Sequence, residues 1–256
     1  MDLADNARML KNCVQKKHLS ENMNLTILKN IFFLLTFSLL LIVNAQQDYS
    51  HNVVRRGNEV FLRGFKPQTQ KGKTCAFYST SMILAYYGKK VSPDKLKHTG
   101  RGNNQYSDRK KSSHFMAERL KNFGFVFIIV QHNNDELFRK IVKYAIDNGI
   151  PLRWSCNMRF SPIKKERNNS SHARIITGYV ENNEQMSHIL YTDSWGSDHI
   201  NKIMTCKNAM KMTNRYGPVF PQKNNQKIIS DFNFLIEKYT KKKNLSNQQI
   251  VEDEDE

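Results

Sequence analysis

Helical periodicity is clearest between Cys75 and Tyr87, a segment without Gly or Pro in which apolar and small residues recur on one face. Gly88 follows directly and is typical of a helix C-terminus. Ser92 and Pro93 then supply an N-cap and a first-turn proline, which predicts a second, short helix. Three further helices are predicted near residues 113–123, 133–148 and 230–239.

Apolar runs of strand length predict the sheet. Phe125–Val130 and Ile150–Cys156 are two such runs, and Glu59–Phe65 is a short strand or an extended arm. Two longer runs, His172–Val180 and Ser187–Asp193, are joined by turn-forming residues, which predicts a hairpin. This mixture of helices and strands predicts an α+β fold in which helices pack on an antiparallel sheet.

An uncharged apolar run of thirteen residues, 31–43, precedes the globular part. It is short for a transmembrane helix, which needs about 20 apolar residues, and has the length of a secretory signal core. Lys29 supplies the preceding charge and Ala45 a small residue at the cleavage point. Residues 23–45 are therefore predicted to be a signal peptide of a secreted or periplasmic protein, with an uncleaved membrane anchor as the alternative. Residues 1–22 would then be a non-native upstream extension.

The rest of the chain is predicted to hold one domain, residues 59–240, after a polar lead-in at 46–58 and before a disordered charged tail at 241–256. Its formal net charge of +17 favours an acidic partner or an anionic surface. The scattered lysines equally fit a compositional bias of the genome. Since no nucleic-acid motif is present, we expect no specific nucleic-acid binding, and we expect a monomer.

The cysteine count adds a reactive-thiol hypothesis. Without the signal segment, Cys75, Cys156 and Cys206 remain. In an oxidising compartment an odd count leaves one thiol unpaired, and the prediction is a disulfide between Cys156 and Cys206. The alternative is that these cysteines are buried and reduced. No His or Cys spacing resembles a zinc site, so neither a metal nor a cofactor is predicted.

Cys75 opens its predicted helix, where the helix dipole stabilises a thiolate and free backbone N–H groups can bind an oxyanion. Gln70 and Gln68 are both candidates for an additional side-chain donor. The hairpin supplies a base, because a turn centred between Asn182 and Asn183 places His172 directly opposite Asp193. A carboxylate in that position would hold one imidazole nitrogen while the other faces the thiol.

These residues resemble the papain-like cysteine peptidases, and within them the bacterial group that includes the double-glycine leader peptidases of bacteriocin exporters. The resemblance covers residues 60–200 and lies in four segments: Gln70–Ala76, Ala85–Gly88, His172 with Thr177–Tyr179, and Asp193–Gly196. It implies a papain-like fold with Cys75 as nucleophile, His172 as base and Asp193 as its orienting group. It further implies that Trp195 shields the His–Asp contact from water and that Gln70 completes the oxyanion hole.

The function expected from the sequence is an exported cysteine peptidase that hydrolyses polypeptides. Isopeptide cleavage, deamidation and acyl transfer use the same machinery and stay open as alternatives. A non-catalytic binding module, or a membrane-anchored protein whose basic face meets anionic lipid, are further alternatives. Substrate specificity is expected in the loops Thr99–Lys111 and Phe160–Ser171.

Overall fold

The computed structural model describes residues 49–99, 112–131, 134–196, 199–223 and 225–252, the side chains of 112–115 and 241–252 excepted. The expected upstream extension 1–22 and signal peptide 23–45 lie outside the described residues, as does most of the loop 99–111. Among the described residues, no helix combines the length and apolar character needed to cross a bilayer.

Within the described ranges, eight strands form one antiparallel sheet, and the helices pack around it. The strands are β1 Val53–Arg56, β2 Glu59–Leu62, β3 Phe125–Phe127, β4 Leu152–Asn157, β5 Ser171–Asn182, β6 Gln185–Thr192, β7 Lys202–Thr205 and β8 Thr213–Pro221. The helices are α1 Cys75–Tyr86, α2 Pro93–His98, α3 Ser112–Asn122, α4 Asp135–Asp147, α5 Cys206–Met212 and α6 Gln226–Glu252. The predicted α+β class, with Cys75 at a helix N-terminus, is confirmed.

Strand β5 organises the sheet because its twelve residues pair with three other strands. One edge pairs with β6, and the other pairs with β4 over the first half and with β2 over the second. Gly178 permits the approach of β2, since a Cβ there would lie 2.5 Å from the carbonyl oxygen of Val60. Helix α1 also packs on β5, which brings the predicted nucleophile and base together.

The amphipathic pattern of the sequence predicted the position of helix α4 well. Its apolar residues recur every three or four positions and are all buried against the sheet and α6. Asn134 caps it, because its side chain accepts a hydrogen bond from the Leu137 backbone N–H at 3.1 Å. The buried residues of this helix are Leu137, Phe138, Ile141, Val142, Ala145 and Ile146.

Two predicted irregular segments contain regular structure. Part of the expected lead-in 46–58 is strand β1, which pairs with β2 from Val53 to Arg56. Its exposed arginines hid the strand pattern in the sequence. Helix α6 runs to Glu252 and so enters the segment 241–256, where a disordered tail was expected. High charge suggested disorder there, but this part of the helix contains neither Gly nor Pro and extends the preceding turns.

Candidate active site

Cys75 is the first residue of α1, and Thr74 is the N-cap. The first backbone N–H groups of a helix have no intrahelical carbonyl partner, so this helix start presents donors and a positive dipole beside the thiol. The side chain of Cys75 is half-buried and free of any disulfide. The helix start therefore presents a reachable sulfur next to groups that stabilise negative charge.

His172 lies between Cys75 and Asp193. Its Nε2 donates to Asp193 Oδ1 at 2.6 Å, and its side chain also interacts with Cys75, so that each of the two groups shifts the pKa of the other. Since Asp193 occupies Nε2, the Nδ1 atom is the one that faces the thiol. Trp195 stacks on the imidazole with ring centroids 4.4 Å apart, and His172 and Asp193 are 5% and 0% exposed. The structure thus brings all three residues together, with His172 and Asp193 shielded from solvent.

The electrostatics of this chain favour a thiolate–imidazolium pair. Burial opposes ionisation of Cys75, but the hydrogen bond and charge of His172, with the Ala173 backbone N–H and Arg153, lower the pKa of the thiol below its ordinary value. Burial likewise opposes a charge on His172, yet Asp193 and Cys75 raise its pKa to about 9. Both shifts favour a proton on the imidazole over a proton on the thiol.

Asp193 is held at both carboxylate oxygens. Oδ1 accepts from His172 and from the backbone N–H of Ser194 at 2.6 Å, and Oδ2 accepts from Arg174 Nε at 2.7 Å. Although burial would raise the pKa of this carboxyl, the hydrogen bonds and charges of His172 and Arg174 lower it. Asp193 therefore stays ionised while it orients the imidazole.

Gln70 is attached to the same segment through Ser194. Its backbone N–H donates to the Ser194 carbonyl at 2.7 Å, and its side-chain Oε1 accepts from Ser194 Oγ at 2.6 Å. Its Nε2 donates to the Gly72 carbonyl at 2.9 Å, which leaves the second N–H of the amide for another acceptor. The predicted role of Gln70 in an oxyanion hole stays a prediction.

The predicted hairpin exists, but its register is not the one expected. Ile175 pairs with Thr192, so the register continues with Asp193 at the level of Arg174 instead of His172. The expectation of directly opposed partners is therefore wrong. The turn is centred on Asn183 and Glu184, one residue later than predicted, and this shifts the pairs by two at both ends of the hairpin and by three between its two bulges. A shift of two keeps each side chain on the same face, which is why Asp193 still reaches His172.

The predicted disulfide between Cys156 and Cys206 is wrong, since both residues are free thiols. Cys156 lies on β4 and is paired with His172, whereas Cys206 follows β7. The strands β5 and β6 separate them, and adjacent strands lie about 4.8 Å apart. A disulfide needs Cα atoms within about 7 Å, so three strand spacings exclude it. The alternative of buried, reduced cysteines holds for both.

Sequence reasoning missed Arg174 and Glu166. Arg174 is fully buried and bridges Asp193 to Glu166, whose carboxylate accepts from Arg174 Nη2 at 2.9 Å. One sequence signal was present: an arginine two residues after His172 in an apolar strand lies on the same face as His172. Nothing in the sequence indicated that Glu166, within a basic loop, turns inward to meet it.

A pocket of about 380 Å³ adjoins the outer side of this cluster. Trp195, which stacks on His172, forms one wall, and loop residues around Glu166 form the other. Among the described residues, no group of acidic, histidine and cysteine side chains could hold a metal ion. The lining residues of the pocket are Lys165, Glu166, Asn168, Trp195 and His199.

Solved structures similar to this chain include three peptidases. The peptidase domain of Streptococcus ComA, a bifunctional ABC transporter involved in quorum sensing, is 14% identical over 61% of this chain and 97% of its own, with a TM-score of 0.42. A C39-like peptidase from Bacillus anthracis is 18% identical over 64% of this chain and 98% of its own, with a TM-score of 0.43. A double-glycine motif protease from an AMS/PCAT transporter, in complex with the leader peptide, is 15% identical over 66% of this chain and 97% of its own, with a TM-score of 0.40.

Comparison with protein-family models identifies the family of this chain. No curated protein matches the chain. A model of the Peptidase_C39 like family matches residues 62–227, a region that includes Cys75, His172 and Asp193. This match confirms the resemblance drawn from the motifs and covers more than half of the chain. The chain belongs to the Peptidase_C39 like family and is a cysteine-type peptidase with an α+β papain-like fold.

Proposed function

We propose that this peptidase hydrolyses peptide bonds through a catalytic triad of Cys75, His172 and Asp193. The observation that carries the proposal is the position of His172, which interacts with the thiol on one side and is hydrogen-bonded to Asp193 on the other. This is the geometry that nucleophilic catalysis by cysteine requires, with a base beside the nucleophile and a third group that orients the base.

In the first half of the reaction the Cys75 thiolate attacks the substrate carbonyl carbon. The carbonyl oxygen becomes an oxyanion, which the backbone N–H of Cys75 and the amide of Gln70 stabilise. His172 then donates its Nδ1 proton to the leaving amine nitrogen, so the C–N bond breaks and a thioester with Cys75 remains. Asp193 keeps the imidazole in the orientation and tautomer that this proton transfer needs.

In the second half a water molecule hydrolyses the thioester. Neutral His172 takes a proton from the water, whose oxygen attacks the thioester carbonyl. Collapse of the second tetrahedral intermediate releases the carboxylic acid product and restores the thiolate–imidazolium pair. Trp195 covers His172 and Asp193 and excludes bulk water from their contact.

The substrate side of the proposal concerns the pocket beside Trp195. His172 protonates the leaving amine, so the departing segment of the substrate lies on the His172 side, where Trp195 forms the pocket wall. Lys164, Lys165 and Arg167 are exposed there, whereas Glu166 is buried and bound by Arg174. We therefore propose that the enzyme prefers polypeptides with acidic residues just after the scissile bond.

This preference is testable with peptide pairs that differ only in Glu or Gln after the scissile bond. We expect faster cleavage of the Glu peptides, a difference that shrinks at high salt and in Lys165→Gln. Lys227→Gln, an exposed lysine on α6, is the control and should leave the preference unchanged. Equal cleavage of both peptides by the native enzyme would contradict the acidic preference without affecting the triad.

Export is a further proposal and rests on the apolar run 31–43 with its flanking residues. Intact mass and N-terminal sequencing of the protein recovered from producing cells test it. A mature chain beginning at Gln46 is expected. A chain that keeps this segment and stays with the membrane fraction would instead favour the anchor.

The triad is tested by the alkylation rate of Cys75 with iodoacetamide across pH, followed by peptide mapping. Because the thiolate is the reactive form, we expect Cys75 to react well below pH 8 in the native enzyme and much more slowly at that pH in His172→Ala. Cys156 and Cys206 serve as internal controls, since burial raises the pKa of both thiols, that of Cys206 to about 11. A rate at Cys75 equal to that of an ordinary thiol would exclude the proposed mechanism.

A parallel assay separates hydrolysis from the other amide chemistries. Linear peptides, isopeptide-linked peptides and glutamine-containing peptides are offered to the native enzyme and to Cys75→Ala, and products are identified by mass. Peptide-bond hydrolysis that requires Cys75 supports the proposal. If the only products are those of isopeptide cleavage, deamidation or acyl transfer, the same triad catalyses that reaction instead of peptide-bond hydrolysis.

A further inference from the structure

Arg174 is a fully buried cation on the strand that carries His172. Its exposure is 0%, and its Nε donates to Asp193 Oδ2 at 2.7 Å. Burial of an arginine is costly unless its charge is paired and its donors are satisfied. A buried arginine that touches the orienting carboxylate of a triad therefore calls for a role beyond general packing.

Strand geometry explains how Arg174 reaches Asp193. Residues two apart on a strand point to the same face, so His172 and Arg174 lie side by side on β5. Each side chain binds a different oxygen of the Asp193 carboxylate: His172 binds Oδ1 and Arg174 binds Oδ2. With both oxygens occupied, the carboxylate cannot rotate away from the imidazole without breaking a charged hydrogen bond.

Arg174 is in turn fixed from the other side. Its Nη2 donates to Glu166 Oε2 at 2.9 Å, and the buried Ser161 Oγ donates to the same oxygen at 2.9 Å. Aromatic rings cover the guanidinium, with its central carbon 4.8 Å from the Tyr191 centroid and 5.5 Å from that of Trp195. The loop that lines the pocket is thereby connected to the triad through one buried chain of contacts.

We propose that Arg174 is a positioning residue that holds Asp193 in the orientation His172 needs, and that Glu166, supported by Ser161, holds Arg174. This inference rests on the proposed triad. Arg174 touches neither substrate nor the reacting atoms, and acts through the carboxylate. The basic loop contributes its one acidic residue, Glu166, to this chain and leaves its cations at the surface.

The arrangement also predicts a pH effect. Arg174 helps to lower the pKa of Asp193, so its loss should let Asp193 take up a proton at a higher pH and release His172 from its partner. As the pH is lowered, the activity of such a variant would then fall at a higher pH than that of the native enzyme. The titratable and charged groups that face Asp193 or Arg174 are Cys156, Glu166, His172 and Tyr191.

The experiment compares the native enzyme with the double variant Arg174→Met/Glu166→Gln, which removes both buried charges together so that neither is left unpaired. We expect the variant to unfold cooperatively and to retain an active thiol by titration. Its kcat should fall about 100-fold with little change in KM, and the acid limb of its kcat profile should move to higher pH. The surface pair variant Arg139→Met/Asp135→Asn is the control and should match the native profile.

Arg174→Lys gives an independent measurement that does not depend on the double variant. Lysine keeps the charge, but a single ammonium cannot hold two carboxylates in the fork geometry of arginine. We expect its acid limb to stay near the native position while kcat is reduced. If the double variant does not fold, an unchanged kcat in Arg174→Lys overturns the inference.

Other outcomes separate this inference from the triad itself. A folded double variant with native kcat and pH profile overturns the positioning role alone. The positioning role is also overturned if the loss of activity equals the loss of titratable thiol and the acid limb does not move. That result would mean that Arg174 only stabilises the fold. Retained hydrolysis in Cys75→Ala would overturn the triad, and with it the premise for Arg174.

Discussion

The contact with Asp193 is the main interaction that raises the pKa of His172 above neutral pH, and Cys75 adds to it. Burial alone would lower the pKa of the imidazole, yet the carboxylate and the thiol raise it to about 9. In the proposed mechanism the active form is the thiolate–imidazolium pair, so activity is lost when His172 deprotonates. The basic limb of the pH profile therefore reports the strength of the His172–Asp193 contact.

Asp193→Asn tests this contact. The amide oxygen can still accept from His172 Nε2, but the negative charge is gone and Arg174 stays beside the site, so the pKa of His172 should fall toward the ordinary value of about 6.5. We expect the basic limb of kcat/KM to move down by about two pH units, with about tenfold less activity at pH 8. Asp135→Asn, at an exposed position of α4, is the control. An unmoved basic limb would show that Asp193 does not set the proton affinity of His172.

Single residues differed in how far the sequence could reveal them. Local sequence patterns indicated four residues of the site. Cys75 stands at a helix start, and His172, Asp193 and Trp195 stand at or next to strand ends. Glu166 depends on how a loop folds back over the sheet, and no local pattern encodes that. The predicted disulfide failed for a related reason, because counting cysteines carries no information about which strands separate them.

The β5–β6 hairpin shows what an element-level prediction can tolerate. The turn chemistry located the hairpin correctly, but the choice of central residues was off by one and bulges interrupt the pairing near Gly178 and Glu181. A register error of one residue would have moved Asp193 to the opposite face of the sheet. The actual error of two residues left it on the same face. Side-chain face was therefore predictable, and exact register was not.

The hairpin turn also carries backbone strain at one position. Asn183 and Glu184 have φ values of 50° and 63°, and asparagine tolerates this left-handed region better than glutamate does. We expect Glu184→Gly to raise the free energy of unfolding by about 0.5–1 kcal/mol in urea denaturation, since glycine removes the steric cost. Gln185→Gly, at the next position and in the extended strand, should lower it by a similar amount. Destabilisation by Glu184→Gly would contradict the assigned turn.

For the whole molecule, periodicity predicted the helices and the strands that flank the site. It did not predict β1, β7, α5 and β8. Strand β1 is short and half-exposed, and β7 and β8 follow one another through a short helix without a clear alternation of apolar and polar residues. Strand β1 pairs locally with β2 across a two-residue turn, whereas β7 pairs with β6 across a loop and β8 pairs with the distant β4, which no local window contains.

The core of the folded chain also extends past the part that the family match covers. The match ends at residue 227, yet Phe232 on α6 is 0% exposed. Its ring centroid lies 5.0 Å from that of Tyr144 on α4 and 6.2 Å from that of Phe220 on β8. The C-terminal helix therefore closes the core over α4 and the sheet, and removing its anchor should weaken the whole domain.

Two phenylalanines of α6 allow this claim to be measured within one helix. Phe232→Ala should lower the free energy of unfolding by about 3–5 kcal/mol, because it removes a fully buried ring and leaves a cavity beside Tyr144 and Phe220. Phe234 is 64% exposed, so Phe234→Ala should change the free energy of unfolding by no more than about 0.5 kcal/mol. Urea denaturation of both variants, followed by tryptophan fluorescence, gives the comparison. Equal small effects would mean that α6 is an appendage that the peptidase core does not need, whereas the expected difference would make it part of the same cooperative unit as the active site.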